Sequence, residues 1–377
     1  MARFDASVRS ARAESTALKS PAESARSTHV AKAIAAFAGG EFLVVSDDES
    51  RENEADLVLA AQHATPEKLA FLVRHTCGIV CAPVSDEVAL RLRLSPMVAQ
   101  NEAPLATAFT VSVDSRDGVT TGISATERAK TLLDLARSDA QHTDFVRPGH
   151  IFPLIAKSGG TLERAGHTEA AVDLCRLAGL SPVGVICELC NDDGSVMRGE
   201  EIVRFAATHQ IPRLTVADLI VYRQTHDLLV SRVQECNVLT RIGFVKAISY
   251  ASALDDVEQL AFVFGDLRDG VDVPLFVHRA DLAKDLFAGA GPAEFFMDRV
   301  QAFERGIMLF LRNSEGYGDT HRSSLRSLRD DHRAWLGNNA CGQILRDLRV
   351  HSIKIMNAVH EGTDFSDLAK FGIGVSA

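Results

Sequence analysis

The run RAGHTEAAVDLCRLAGL, residues 164–180, decides how this chain is read. A basic residue, a glycine, a histidine and a threonine stand just before an apolar pattern of helical period, and Gly179 closes it. The first turn of a helix exposes backbone N–H groups with no internal partner, and the aligned peptide dipoles add positive potential there. Such an end attracts anions. Gly166 lets a ligand approach the backbone, and Thr168 is placed to cap the helix and donate to a phosphate oxygen. Arg164 can clamp the same phosphate, with His167 held at the mouth. Read alone, the run is also consistent with a plain threonine cap beside an incidental histidine.

Outward from this helix, strands and helices alternate. HVAKAIAAFAGG (29–40) reads as a helix stopped by two glycines, and EFLVVSD (41–47) as the strand after it. Thr65-Pro66 opens the helix PEKLAFLVRH, and Ser85 caps DEVALRLRL after the strand GIVCAPV. ATAFTVSVD (106–114) alternates Phe109, Val111 and Val113 on one face of a predicted strand. Ser124 and Glu127 form a capping box for ATERAKTLLDLA. RPGHIFP (147–153) reads as a stiff loop carrying His150. The strand VGVICEL, the helix GEEIVRFAATHQ and the short strand RLTV complete a mixed α/β domain over 28–228. A second α/β domain over 229–377 opens strand-rich, with VLTRIGFVKAISYAS, LAFVFGD and VPLFVHR. Residues 1–27 are rich in Ala, Ser and Arg without sustained apolar period and read as a disordered extension.

Bulk properties exclude several classes. The chain has 377 residues, 46% hydrophobic and 24% charged, with a net charge of −10. That balance argues against nucleic acid or anionic membrane as a partner, and no apolar run reaches the ~18 residues of a membrane span. Seven cysteines, odd in number and scattered, predict reduced thiols and a cytoplasmic location. Cys187 and Cys190 form a CxxC inside a strand-like run, where the two sulfurs would face opposite ways; this suits neither zinc nor a dithiol switch.

Two further stretches carry chemistry. DDESRENEAD (47–56) holds six acids and an arginine directly after a strand. It is a solvated acidic turn or, since α/β sites gather at strand ends, the lip of a cleft where a hard cation such as Mg²⁺ relieves the repulsion. Glu188 lies in an apolar strand, where an ionised acid is costly unless paired. It is either a strand-end residue facing solvent or an acid/base with a raised pKa.

In order and spacing, the runs DDESRENEADL, MVAQN, TAFTVSVD, GVTTGIS, DFVRPGHIFPL, RAGHTEAAVDL, GVICEL and ADLIVYR resemble 3,4-dihydroxy-2-butanone 4-phosphate synthase of riboflavin biosynthesis, over about residues 28–223. The resemblance implies ribulose 5-phosphate as the sugar phosphate substrate, formate and a four-carbon ketose phosphate as products, and a homodimer. It implies Glu52 and His167 as ligands of Mg²⁺, with Mn²⁺ the alternative because imidazole suits it better. It implies substrate contacts at Arg51, Glu52, Asp56, Thr107, Arg164, Ala165, Gly166, His167, Thr168 and Glu188, and catalytic roles for His150, Glu188 and Asp47. Ala55 departs from the family's usual glycine; a positive φ there would strain the loop.

The second half resembles GTP cyclohydrolase II in its skeleton: TRIGFVKAISYAS, VFGDL, VPLFVHRADLAKDLF, GIMLFLRNSEGYG and GQILRDL. That family's three zinc cysteines align with Asp281, Pro292 and Glu294, and no cysteine lies between Cys236 and Cys341. The family's catalytic loop reads RNSEGYG, and its Tyr and Arg align with Asn338 and Leu336. The resemblance therefore implies a degenerate domain without zinc. Arg322, Arg326, Arg329 and Arg333 fall on one predicted helical face, either solvated or a surface for a phosphate or a protein partner.

Overall fold

The computed structural model describes residues 21–253, 257–280, 291–312, 340–356 and 365–376. The chain divides between Asp227 and Leu228 into two compact units.

The first unit is built on a seven-stranded mixed sheet. Its strands are β1 (Leu43–Ser46), β2 (Ala55–Ala60), β3 (Cys81–Val84), β4 (Val113–Ser115), β5 (Phe145–Ile155), β6 (Gly184–Glu188) and β7 (Arg213–Thr215), in the order β4-β5-β3-β6-β2-β1-β7. Helices cover both faces. Alternate residues of β1 and β2 explain why: Val44, Leu57 and Leu59 share a core with α2 (Pro66–His75), α3 (Asp86–Arg91), α4 (Ala125–Ala136) and α6 (Glu200–His209). Leu43, Val45 and Val58 share another with α1 (Pro21–Ala38), α5 (His167–Leu177) and α7 (Val216–His226). A strand buried on both faces reads as a nearly continuous apolar run. In β2 all six residues of ADLVLA are buried, and Asp56 is the one acid among them.

Local signals hold where they were sharp. Thr65 caps α2 by accepting from Lys68 N, Ser85 caps α3, and Ser124 with Glu127 forms the reciprocal box on α4. Four readings change. Helix α1 begins at Pro21, ahead of residue 28, and is anchored by an Arg26–Asp218 ion pair at 3.0 Å and by His29 against the Arg213 carbonyl. RPGHIFP is part of strand β5, because a register shift in the β4–β5 pairing accommodates Pro148-Gly149. Of ATAFTVSVD only Val113 and Asp114 enter a strand, and the buried residues include Thr110, Ser112 and Asp114 as well as Val113. Those polar side chains are tied to β5: Thr110 donates to the Pro153 carbonyl, Ser112 accepts from Gly149 N and Asp114 accepts from His150 N. Finally, the positive φ of the acidic loop falls on Asn53, while Ala55 pairs with Ser46 in extended backbone and is unstrained.

The second unit carries another seven-stranded mixed sheet. Its strands are β8 (Val230–Thr240), β9 (Gly243–Ser252), β10 (Gln259–Phe264), β11 (Val273–Arg279), β12 (Gly306–Leu311), β13 (Ser352–Ile355) and β14 (Gly374–Ser376), in the order β14-β13-β11-β12-β10-β9-β8. Residues 340–347 are helical and pack Cys341, Ile344 and Leu345 against Leu275 and Leu309. Helix α8 (Pro292–Val300) covers Phe276 and Met308 on the other face. Pro292 opens α8 and Glu294 lies in its first turn. Asp281, Asn338, Leu336, the loop after Arg312 and the four arginines of 322–333 lie outside the described residues.

Candidate active site

Sheet register assembles the site. Asp56 on β2 is the Cα partner of both Val45 on β1 and Glu188 on β6. Residues opposite one another across adjacent strands share a face, so Asp56 and Glu188 stand side by side at one end of the sheet. The acidic loop leaves β1 at the same end. Asp47 organises it: Oδ1 accepts from Glu54 N at 3.0 Å, and Oδ2 accepts from Glu52 N at 3.1 Å and Arg51 Nη1 at 2.8 Å. Arg51 also pairs with Glu52.

The N-terminus of α5 closes over this loop. His167 is buried, with Nδ1 3.8 Å from Glu52 Oε2. Asp47, Glu52 and His167 each bring one ligand atom within 4.8 Å of the others. Two buried polar atoms here have no protein partner, His167 Nε2 and Asp56 Oδ1. Such atoms cost ~1–3 kcal/mol each unless something satisfies them. Two carboxylates, an imidazole and these atoms form a donor set suited to a divalent cation and an oxygen-rich ligand.

Electrostatics agrees. The neighbouring His167, with help from Arg51, holds Glu52 down at about 2 against the opposing effect of burial. Burial pushes Asp56 up to about 7, and the charges of Glu188 and Glu52 add to it while His167 opposes. Burial alone would depress His167; Asp56, Glu52 and Asp47 outweigh it and raise the imidazole to about 9. Without a cation, a proton on His167 balances the acids.

The anion cradle differs from the sequence expectation in its details. The N-cap of α5 is Gly166, not Thr168, and Thr168 is buried within the first turn. A Cβ at Gly166 would meet Arg164 Nη1 at 2.5 Å and Glu169 Oε2 at 2.8 Å, so a side chain there would have to displace the Arg164–Glu169 pair. Arg164 donates to Glu169 at 2.7 Å and to Thr107 Oγ1 and the Leu105 carbonyl at 3.1 Å. Glu169 was not singled out from sequence; its signal was an acid in the first turn, five residues after the arginine. Ala165 links these groups. Arg51, Glu52, Asp56, Thr107, Arg164, Gly166 and His167 thus fall into one chain of contacts and charges.

His150 stands on β5 with a partner of its own. Its Nδ1 lies 2.7 Å from Asp114 Oδ2. Among the described contacts none joins it to Glu52 or His167. Asp114 is a second residue that the alternation missed, because it ends the polar face of TAFTVSVD. A Cβ at Gly122, where φ is +87°, would overlap Asp114 Oδ2 at 2.1 Å. Glu188 ends β6 half-buried and accepts from Cys77 Sγ at 2.7 Å. Burial raises the carboxyl of Asp56 here, and that of Glu54 beside it.

Fold and site define an α/β protein with a carboxylate–histidine cluster beside a helix N-terminus. Residues 31–222 match the family 3,4-dihydroxy-2-butanone 4-phosphate synthase, and residues 231–377 match GTP cyclohydrolase II. The chain belongs to the 3,4-dihydroxy-2-butanone 4-phosphate synthase family, lyases of riboflavin biosynthesis, here fused to a GTP cyclohydrolase II domain. It is 43% identical over 349 residues to the riboflavin biosynthesis protein RibBA of Nocardia farcinica, covering 87% of this chain and 84% of that one. It is 44% identical to the bifunctional riboflavin biosynthesis protein RIBA 1, chloroplastic, of Arabidopsis thaliana, covering 87% of this chain and 64% of that one. The crystal structure of RibBX, a two domain 3,4-dihydroxy-2-butanone 4-phosphate synthase from A. baumannii, superposes with a TM-score of 0.70 at 34% identity, over 92% of this chain and 99% of that one. A 3,4-dihydroxy-2-butanone 4-phosphate synthase solved with two magnesium ions gives 0.51 at 47% identity, over 52% of this chain and 96% of that one. Magnesium is the cofactor of this enzyme class. No helix among the described residues is long and apolar enough to cross a membrane.

Proposed function

We propose that residues 24–227 convert D-ribulose 5-phosphate to 3,4-dihydroxy-2-butanone 4-phosphate and formate, with Glu52 and His167 holding Mg²⁺. The observation that carries this reading is the buried His167, its Nε2 without a partner, clustered with Asp47 and Glu52. When bound there, the metal polarises vicinal oxygens of the sugar and makes the adjacent carbon acidic.

The chain's own groups do the rest. Arg164, Thr107 and the N–H groups at Gly166 to Thr168 bind the phosphate, which fixes the sugar without touching the bonds that change. Arg51 braces Glu52 and adds positive charge over the cradle. With its Nδ1–H donating to Asp114, His150 presents Nε2 as a proton acceptor. Glu188, and Asp56 with its pKa near 7, are placed to return protons as the skeleton rearranges. Asp47 acts through the loop it organises. The reading extends to a homodimer in the cytoplasm.

For the second domain the same proposal is a retained fold without zinc or GTP hydrolysis. It rests on Asp281, Pro292 and Glu294 at the three zinc positions, since proline offers no side-chain ligand. Continued bifunctionality is the alternative, favoured by the match over 231–377. One preparation of the full chain tests both. Incubated with ribulose 5-phosphate and Mg²⁺ it releases formate; incubated with GTP it releases none. GTP turnover would establish the alternative.

A further inference from the structure

Three side chains that the reaction does not use together meet at the end of β6. Cys77 Sγ lies 3.6 Å from Cys187 Sγ and 2.7 Å from Glu188 Oε2. One donor atom from each lies within 4.8 Å of the other two. The sequence paired Cys187 with Cys190, but the strand separates those two, and Cys187 is instead met by a residue 110 positions earlier.

The placement is built into the backbone. Cys187 and Glu188 are consecutive on a strand, so their side chains leave opposite faces. Cys187 enters the core with Leu57 and Leu189, while Glu188 stands beside Asp56. Only a group lying over the strand end can reach both. Thr76 pairs with Leu189, and Cys77 N donates to the Glu188 carbonyl at 2.9 Å. Gly78, at φ +83°, then turns the chain away. Cys77 is thereby held at the strand end by main-chain bonds, with its side chain open to solvent.

Two thiols and a carboxylate are donors for a soft or borderline cation and a poor set for Mg²⁺. A tetrahedral ion about 2.3 Å from each of two sulfurs holds them roughly 3.8 Å apart. The observed 3.6 Å needs little adjustment. The fourth position falls on the solvent side of Cys77. We propose that Cys77, Cys187 and Glu188 form a site for a thiophilic divalent cation of the zinc class, separate from the Mg²⁺ position, and that its occupation inhibits the lyase by engaging the Glu188 carboxylate. The two thiols release their protons to solvent on binding. The inhibitory half rests on the reading of Glu188 as a reacting carboxylate; the site itself does not.

The test uses the full-length, Mg²⁺-loaded protein kept reduced by a phosphine. Titration with Co²⁺ reads the thiolate-to-metal charge-transfer band, and formate release is followed with added Zn²⁺ against each variant's own zinc-free rate. Wild type and Cys190→Ser develop the band, and Cys77→Ser loses it. The Zn²⁺ concentration for half-inhibition rises at least about tenfold in Cys77→Ser, the least that losing even an outer-shell partner costs a metal site. No band dependent on Cys77 would overturn the site. Zinc inhibition unchanged in Cys77→Ser would place the effect at the Mg²⁺ position and overturn the inhibitory half. A Cys77-dependent band without inhibition would uphold the site and count against Glu188 in the reaction.

Discussion

The two halves of this chain solve the same packing problem and differ in what they bury. Each has a seven-stranded mixed sheet with helical cover. In the first, the buried residues include Asp56, Asp114, Arg128, His167, Glu169 and Asp173. In the second, the buried polar residues among those described are Gln259 and Gln343, both neutral. Both side chains bond to the main chain. Gln343 Oε1 accepts from Leu229 N and Val230 N, and Gln259 bonds both ways with Arg312. Buried charge is expensive and persists where a ligand or partner repays it. The first half is thus a fold that bears charge for a reaction, and the second, in its described part, a fold whose buried groups serve the fold.

The sharpest break in that comparison comes from Glu52→Gln and His167→Ala. Each removes a proposed cation ligand without opening the apolar core. Formate release from ribulose 5-phosphate is expected to fall on the order of a thousandfold or more, about 4 kcal/mol of lost polarisation. Circular dichroism should stay unchanged. Near-normal release by either variant would move the metal elsewhere. No substitution at Gln259 or Gln343 should produce a loss of that kind while the protein stays folded.

Arg164→Ala comes next, and the structure makes it a double experiment. The guanidinium is both the anion clamp and the partner of Glu169, whose carboxylate is 2% exposed. Breaking such a pair from one side leaves a buried charge and costs roughly 3–5 kcal/mol of stability. Loss of the phosphate contact should raise the substrate Kd about ten- to a hundredfold. Arg164→Ala combined with Glu169→Gln should recover most of the melting temperature and none of the affinity. Recovery of both would show that the arginine serves the fold alone, as the buried groups of the second half do.

Those paired groups also show where sequence reading reaches and where it stops. The helix after Gly166, though its cap was read at Thr168, the capped helices and the acidic loop after β1 were legible because local chemistry fixes each within a few residues. Asp114 was missed because its partner His150 lies 36 residues further along the chain, and Glu169, only five residues from Arg164, was missed because the arginine was read as a phosphate clamp alone. The polar face Thr110, Ser112 and Asp114 was passed over because a period-two pattern directs attention to the apolar residues. Here the polar alternates are buried against the backbone of β5. The strand character of RPGHIFP was hidden for a similar reason: proline and glycine signal a loop until a partner strand adjusts its register to them.

The charge in the first half also predicts a pH signature of its own. In the metal-free protein His167 is raised from 6.5 to about 9, so its contribution to stability is full below pH 6.5 and lost as pH rises through 9. Asp56, raised from 3.8 to about 7, disfavours the folded state increasingly over that lower range. Both slopes have the same sign: in the metal-free first unit these two groups contribute less stability as pH rises from about 4 to about 9, while Glu52, held down at about 2, acts in the opposite sense only below pH 4.5. A cation must displace the His167 proton, so Mg²⁺ affinity should rise by up to about tenfold per pH unit until pH 9. The Mg²⁺-induced rise in melting temperature should therefore be larger at pH 9 than at pH 6.5. Equal shifts at the two values would mean that His167 is not a ligand.

The smallest expected effect belongs to the second half, where Tyr250 is fully buried and its hydroxyl donates to Asp347 at 2.6 Å. Asp347 also accepts from Arg232 Nε at 2.6 Å, joining β8, β9 and the helical residues 340–347. Burial and the Asp347 carboxylate both push the phenol upward, with Arg232 opposing, so at neutral pH the hydroxyl keeps its proton. Tyr250→Phe removes that donor and keeps the ring. Asp347 retains Arg232 and access to water, so the loss should be about 1 kcal/mol, at the ordinary worth of one hydrogen bond. Calorimetry should show the transition of residues 228–377 shifted down by a few degrees, with formate release unaltered. A fall in formate release matching the loss of a catalytic group would mean that the buried polar contacts of the second half serve the reaction as well, and the contrast between the two sheets would fail at its simplest point.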